Sequence, residues 1–221
     1  MADHPGFSVH PDVLAAEETA AVLEALDRVH GRSRAGARHL MGHQAVAALA
    51  RDPRLQALAE RALGKSAVPY RATLFDKSPG SNWLVVWHQD TALPLRFRRD
   101  RPGWGPWSIK SGVLYSHAPS AALERVVALR VHLDDSLAEN GPLRVLPGTH
   151  ARGVLTDAAI QDLAATVRPQ TCTVARGGVV SMRPLLVHAS SKSASDVPRR
   201  VLHIEYARSL QIGSELELDV A

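Results

Sequence analysis

The sequence has almost no cysteine, no long apolar run and no strong excess of one charge, and each absence excludes something. Its one cysteine, Cys172 among 221 residues, can form neither an internal disulfide nor a cysteine-based zinc site. That usage fits a reducing compartment, and the cytoplasm is the expected location. The opening segment MADHPGFSVHPD has no basic stretch leading into an apolar one, and no run approaches the ~18 apolar residues of a membrane span. Secretion and membrane insertion are therefore not expected. Internal repeats and low-complexity linkers are also missing, so residues 1–221 are read as one domain. At 45% hydrophobic and 22% charged residues the chain can bury a real core, which excludes disorder and fibre. The net charge of +4 is too mild to imply nucleic acid. One segment, 96–110 (RFRRDRPGWGPWSIK), holds an excess of that size: Arg96, Arg98, Arg99, Arg101 and Lys110 stand beside a single acid, Asp100.

What is present begins with helices. Residues 12–30 space Val13, Leu14, Ala20, Val22, Leu23 and Leu26 at helical intervals behind Asp12, a residue suited to capping. A second helical stretch, 43–63, carries Val46, Leu49, Leu55 and Leu58, is interrupted near Asp52-Pro53 and is stopped by Gly64. From about residue 67 the texture changes to short Val-, Leu- and Trp-rich runs separated by Gly, Pro, Asn and Ser. Strands are predicted near 68–77, 82–90, 124–134, 142–147, 171–176, 178–183, 184–190 and 199–208, with Asn140-Gly141 and Gly177-Gly178 as hairpin turns. The pattern predicts a mainly β architecture, a jelly roll over 67–208 with the helices of 1–66 covering it from outside.

Eleven histidines raise the question of which are chemically placed. His4, His10, His30, His39 and His43 have no carboxylate at ligand spacing and read as surface or cap residues. The informative run is NWLVVWHQD at 82–90. Side chains alternate along a strand, so His88 and Asp90 project to one face and Gln89 to the other. The predicted strand 184–190 places His188 on one face with Ser190. Folded together, His88, Asp90 and His188 would form a facial triad of two imidazoles and one carboxylate, leaving coordination positions open for oxygen chemistry on Fe(II). An H-x-D tripeptide alone is a weak signal. His188 lies 100 residues after His88 and Arg199 a further 11 residues on, and that spacing strengthens it.

The set WHQD at 87–90, LDDSLAENGPLRVLPGTH at 133–150, GGVVSMRPLLVHAS at 177–190 and RRVLHIEYA at 199–207 resembles the phytanoyl-CoA dioxygenase family of Fe(II)- and 2-oxoglutarate-dependent oxygenases. The resemblance implies a double-stranded β-helix with iron held by His88, Asp90 and His188. It also implies that Arg199, assisted by Ser190, holds the distal carboxylate of 2-oxoglutarate, a role that suits a planar guanidinium. Arg200 should face away. The reaction implied consumes O₂ and 2-oxoglutarate, releases succinate and hydroxylates a C–H bond of a small-molecule substrate; the carboxylate Asp90 favours hydroxylation over halogenation.

Thr73 is a further cosubstrate candidate by position. Where many family members carry tryptophan, this chain has Arg130, with His132 on the same predicted face. Arg130 has two readings: contact with 2-oxoglutarate or an anionic substrate, or pairing with Asp134 or Glu205. The basic segment 96–110, with Trp104 and Trp107, is either a lid over the substrate or a solvated loop. Two other classes stay open, a zinc or manganese cupin-type hydrolase or isomerase, which leaves Arg199 without a role, and a non-catalytic ligand-binding jelly roll, which leaves the triad without one. Substrate identity and oligomeric state are not legible.

Overall fold

The computed structural model describes residues 5–27, 36–64, 66–78, 81–213 and 215–221. Along the chain the strands are β1 (Phe7–His10), β2 (Gly36–Ala37), β3 (Val68–Lys77), β4 (Val85–His88), β5 (Ala92–Pro94), β6 (Trp107–Lys110), β7 (Val113–His117), β8 (Val126–His132), β9 (Leu143–Val145), β10 (Gln170–Cys172), β11 (Val179–Met182), β12 (His188–Ser190), β13 (Arg199–Ala207), β14 (Gln211–Gly213) and β15 (Leu216–Glu217). The α-helices are α1 (Ala16–Asp27), α2 (Gln44–Ala50), α3 (Pro53–Leu63), α4 (Ser120–Leu123) and α5 (Asp157–Thr166).

Two antiparallel sheets carry the architecture, one of six strands in the order β1-β11-β8-β13-β3-β2 and one of four in the order β10-β9-β12-β4. The chain passes back and forth between them: β3 to β4, β8 to β9, β10 to β11 and β12 to β13 each cross from one sheet to the other. That alternation is the double-stranded β-helix, and it closes most strand edges without hairpins. Asn140-Gly141 and Gly177-Gly178 are therefore crossover points and not the hairpin turns expected from sequence. A turn residue fixes the local bend, but the partner of the next strand is set by the buried faces. At Asn140 the side chain itself holds the crossover, accepting from Leu137 N–H and donating to the Asp135 carbonyl, both at 2.8 Å.

Alternation along the long strands sorts their side chains. Ala72 and Leu74 of β3, Val127, Leu129 and Val131 of β8, and Leu202, Ile204 and Tyr206 of β13 turn outward to Leu26, Leu55 and Leu63 of the helices, forming the largest apolar cluster. Each fully buried leucine there contributes ~1.5–3 kcal/mol. Tyr206 also donates to the Ala50 carbonyl at 2.9 Å, tying β13 to α2. The opposite faces of the same strands carry Thr73, Phe75, Lys77, Arg130, Arg199 and His203 and look into a cavity.

The helical expectations need three adjustments. Asp12 does not cap α1: it sits at φ 52°, three residues outside, and Glu18 caps the helix by accepting from Ala15 N–H at 2.7 Å. The stretch 43–63 is two helices, because Pro53 starts α3 with Asp52 as its cap, accepting from Arg54 N–H at 2.8 Å. Gly64 ends α3 in the left-handed conformation, as expected. Helix α5, capped by Thr156, was not anticipated. Residues 28–30 of the first predicted helix, with His30, and His4 lie outside the described residues. No helix among the described residues is long and apolar enough to cross a membrane.

Candidate active site

The small sheet puts β4 and β12 side by side with His88 directly opposite His188. Asp90 follows two residues after His88, with its N–H donating to the Pro184 carbonyl at 2.9 Å, so its carboxylate comes to the same side. The structure thus brings together His88, Asp90 and His188, with one ligand atom from each within 4.8 Å of the others. The Nε2 atoms of His88 and His188 lie 3.7 and 3.6 Å from the two carboxylate oxygens. Both Nδ1 atoms are occupied, donating to the carbonyls of Val86 at 2.8 Å and Leu186 at 2.9 Å. That fixes the tautomer and leaves both Nε2 lone pairs for a metal. Burial lowers His188 to about 4, so its ring is neutral near pH 7. Burial alone would raise Asp90, but the His188, His203 and His88 rings and Arg71 outweigh it and hold the carboxyl below the usual carboxylate range. Two imidazole Nε2 atoms and an ionised carboxylate are the donor set that a facial Fe(II) site requires.

Next to the triad lies a cluster of cations. Arg199 is 3% exposed, donates from Nε to the Asn140 carbonyl at 3.2 Å and from Nη2 to Ser190 Oγ at 3.5 Å, and leaves Nη1 buried without a partner. Ser190 Oγ donates to the Gly141 carbonyl at 2.9 Å and accepts from Lys77 Nζ at 2.6 Å. Lys77 was not singled out from sequence. It ends β3, where a lysine ordinarily reaches solvent, yet it is 1% exposed and also donates to the Ser191 carbonyl. Burial, with Arg199 and Arg130 nearby, lowers it to about 8. Burial and Arg130 bring Arg199 down to about 10, still charged at neutral pH. Arg200, one residue on, turns the other way and grips Asp134 with Nε and Nη2 at 2.7 and 2.9 Å.

Arg130 has neither expected carboxylate. Asp134 is held by Arg200, and Glu205 is paired with Arg71. Arg130 Nη1 instead donates to His203 Nδ1 at 3.2 Å, its guanidinium lies 5.4 Å from the Phe75 ring, and its Nε is buried without a partner. Thr73 lines the same cavity, whose volume is about 350 Å³. His132 is buried with both ring nitrogens unpartnered, and burial beside Arg130 and Arg199 lowers it to about 3, so it adds no charge.

This geometry can be set against known proteins. The phytanoyl-CoA dioxygenase family model matches residues 2–201. The chain belongs to the phytanoyl-CoA dioxygenase family. A curated relative, L-proline trans-4-hydroxylase of Streptomyces griseoviridis, is 29% identical over 191 residues, covering 75% of this chain. The chain spans 63% of that relative's length. Among solved structures, the non-heme alpha-ketoglutarate-dependent carbocyclase SnoK from nogalamycin biosynthesis shares the fold at a TM-score of 0.73 and 20% identity, over 93% of this chain and 81% of that one. EctD from S. alaskensis, with 2-oxoglutarate and 5-hydroxyectoine, does so at 0.69 and 20%, over 92% and 72%.

The basic segment 96–110 is anchored to the rest of the chain. Residues 107–110 form β6, and Trp104 and Trp107 pack against a core cluster around Tyr70, Leu93 and Leu123. Arg96 and Arg101 bind Glu217 and Glu215 near the C-terminus, and Arg98 binds Asp100. Of the five cations in this segment, Lys110 alone lines the cavity. His39, read from sequence as a surface or cap residue, meets the Tyr115 hydroxyl at 2.9 Å and stacks on its ring.

Proposed function

We propose that the protein is a non-haem Fe(II)- and 2-oxoglutarate-dependent dioxygenase that hydroxylates a C–H bond of a small molecule, working as one domain in the cytoplasm. The observation that carries this reading is the adjacency of two features: a triad of His88, Asp90 and His188 with two free Nε2 lone pairs, and a buried, unmatched carboxylate clamp of Arg199, Ser190 and Lys77. A hydrolase or a passive jelly roll has no use for both. Bound Fe(II) with 2-oxoglutarate supplies O₂ activation coupled to decarboxylation of the oxoacid to succinate and CO₂.

Every other task falls to the chain. His88, Asp90 and His188 would hold Fe(II) through two imidazole nitrogens and one carboxylate. Arg199 offers Nη1 to a carboxylate oxygen in a place screened from water, where a charge-assisted hydrogen bond is strong. Lys77 adds a second positive charge, and Ser190 holds the two cations in register. Phe75, Val85 and Leu143 line the cavity between these groups and restrict water there. Arg130 and the cations at the cavity mouth favour an anionic substrate.

The test is 2-oxoglutarate turnover with Fe(II), followed as succinate formation with and without candidate substrates. His88→Ala, Asp90→Ala and His188→Ala should each reduce it to background while thermal unfolding stays cooperative. Near-wild-type turnover in any one of them would rule out the triad.

A further inference from the structure

Six cationic side chains line the cavity, Arg38, Arg71, Lys77, Lys110, Arg130 and Arg199, against one acid on its wall, Asp90. They form two poles. The deep pole is Lys77, Arg130 and Arg199, described above. The second surrounds Tyr115 at the mouth. Arg71 and Lys110 lie 5.5 and 5.0 Å from the centre of its ring, His39 braces its hydroxyl, and Arg38 is the residue before His39. Arg71 is neutralised by Glu205. Among the described residues, neither Arg38 nor Lys110 has a carboxylate within ion-pair distance. Both are exposed, so they meet solvent on one side and the cavity on the other. Burial, with Arg38 and Arg71 close by, lowers Lys110 against the opposing pull of Asp90, as expected where like charges crowd together.

On the oxygenase reading, 2-oxoglutarate is matched by the metal and the deep pole, and Arg38 and Lys110 at the mouth remain without an ion pair among the described residues. Size narrows the choice of what matches them. A cavity of about 350 Å³ is at the lower end of the ~300–1,000 Å³ typical of ligand pockets. It must hold the cosubstrate as well, which leaves room for a small molecule only. A coenzyme A thioester would need its phosphates gripped outside, but the nearby Arg96, Arg98 and Arg101 are already taken by Glu217, Asp100 and Glu215.

We propose that the substrate is a small carboxylic acid and that Arg38 and Lys110 bind its carboxylate at the cavity mouth, with the rest of the molecule reaching toward His88 and Asp90. The assignment rests on the oxygenase reading above. Arg38 supplies the planar fork and Lys110 a point charge, enough for the two oxygens of one carboxylate.

The experiment titrates the anaerobic Mn(II) protein, saturated with 2-oxoglutarate, with a panel of small amino, hydroxy and simple carboxylic acids, each beside its neutral amide, by calorimetry. Succinate formation with Fe(II) in air is measured on the same panel. At least one acid should bind and stimulate turnover, with its amide about tenfold weaker or worse. Arg38→Gln and Lys110→Gln should each raise the Kd and KM for that acid roughly tenfold, in the range expected for a hydrogen bond to a charged group, with the Kd for 2-oxoglutarate moving less than about twofold. Arg99→Gln, an exposed neighbour outside the cavity, should change neither constant. Three results overturn the assignment while leaving the oxygenase reading intact: no acid responds, an amide serves as well as its acid, or the two variants weaken 2-oxoglutarate instead. A wild-type protein that binds no 2-oxoglutarate overturns both.

Discussion

Two regions of the molecule concentrate arginine, the exposed segment 96–101 and the cavity wall, and they treat it in opposite ways. In the segment, Arg96 and Arg98 meet carboxylates at 2.8 and 3.0 Å and Arg101 is paired with Glu215, while Arg98 and Arg99 also lie over Trp107 and Phe97. On the wall, Arg130 and Arg199 are buried with no acid within ion-pair distance among the described residues, beside a buried Lys77. An exposed pair contributes ~0–1 kcal/mol, whereas an unpaired buried charge costs several kcal/mol until an anion reaches it. Charge excess in a stretch of sequence therefore points to nothing by itself. Charge left unmatched in a dry place points to a ligand.

The sharpest break of this comparison is between neighbours. Arg199→Ala should weaken 2-oxoglutarate binding about 10- to 100-fold by calorimetry, with Arg199→Lys recovering only part, because an ammonium cannot reproduce the guanidinium fork. Arg200→Ala should leave that affinity alone and lower stability by about 1 kcal/mol in urea unfolding, the worth of its pair with Asp134. Equal losses of affinity at the two positions would undo the assignment of strand faces.

A smaller effect should appear with pH. Lys77 is charged below about 8 and neutral above it, so the deep pole loses a cation as pH rises from 7 to 9. The Kd for 2-oxoglutarate should then increase, by about three- to tenfold over that interval if the ammonium makes one charge-assisted contact. Lys77→Gln should bind more weakly at pH 7 and show a flatter profile. A wild-type profile already flat from 7 to 9 would mean that Lys77 serves Ser190 and Ser191 only.

The smallest effect belongs to the exposed segment. The triple change Arg98, Arg99 and Arg101 to Gln should alter stability by no more than about 0.5 kcal/mol and leave substrate KM and its salt dependence unchanged. A clear rise in KM would restore the segment as a substrate lid.

Much of this was legible in the sequence where a period could be read. Strands 68–77 and 199–208 match β3 and β13 almost residue for residue, because each alternates between an apolar face for the helices and a polar face for the cavity. The same alternation separated His88 and Asp90 from Gln89, and Arg199 from Arg200. What escaped depends on distant parts of the chain. Asn140-Gly141 announces a turn, but nothing local says that β8 and β9 belong to different sheets. Lys77 reads as a surface lysine until β12 and the 190–191 backbone close over it. Helix α5 could have been found, since Thr156 is a good cap and Ile160 and Leu163 are spaced for one face.

Gln89, between the two proposed ligands of β4 and the turn after it, uses its whole amide on two other segments. It donates to the carbonyls of Gly153 at 2.9 Å and Leu185 at 2.7 Å, and accepts from Leu155 N–H at 2.8 Å. The residue that contributes nothing to the ion thus rivets the tripeptide to the scaffold before any ion arrives. A metal held by His88 and Asp90 would meet a tripeptide already fixed to the scaffold, so loading would cost little chain entropy.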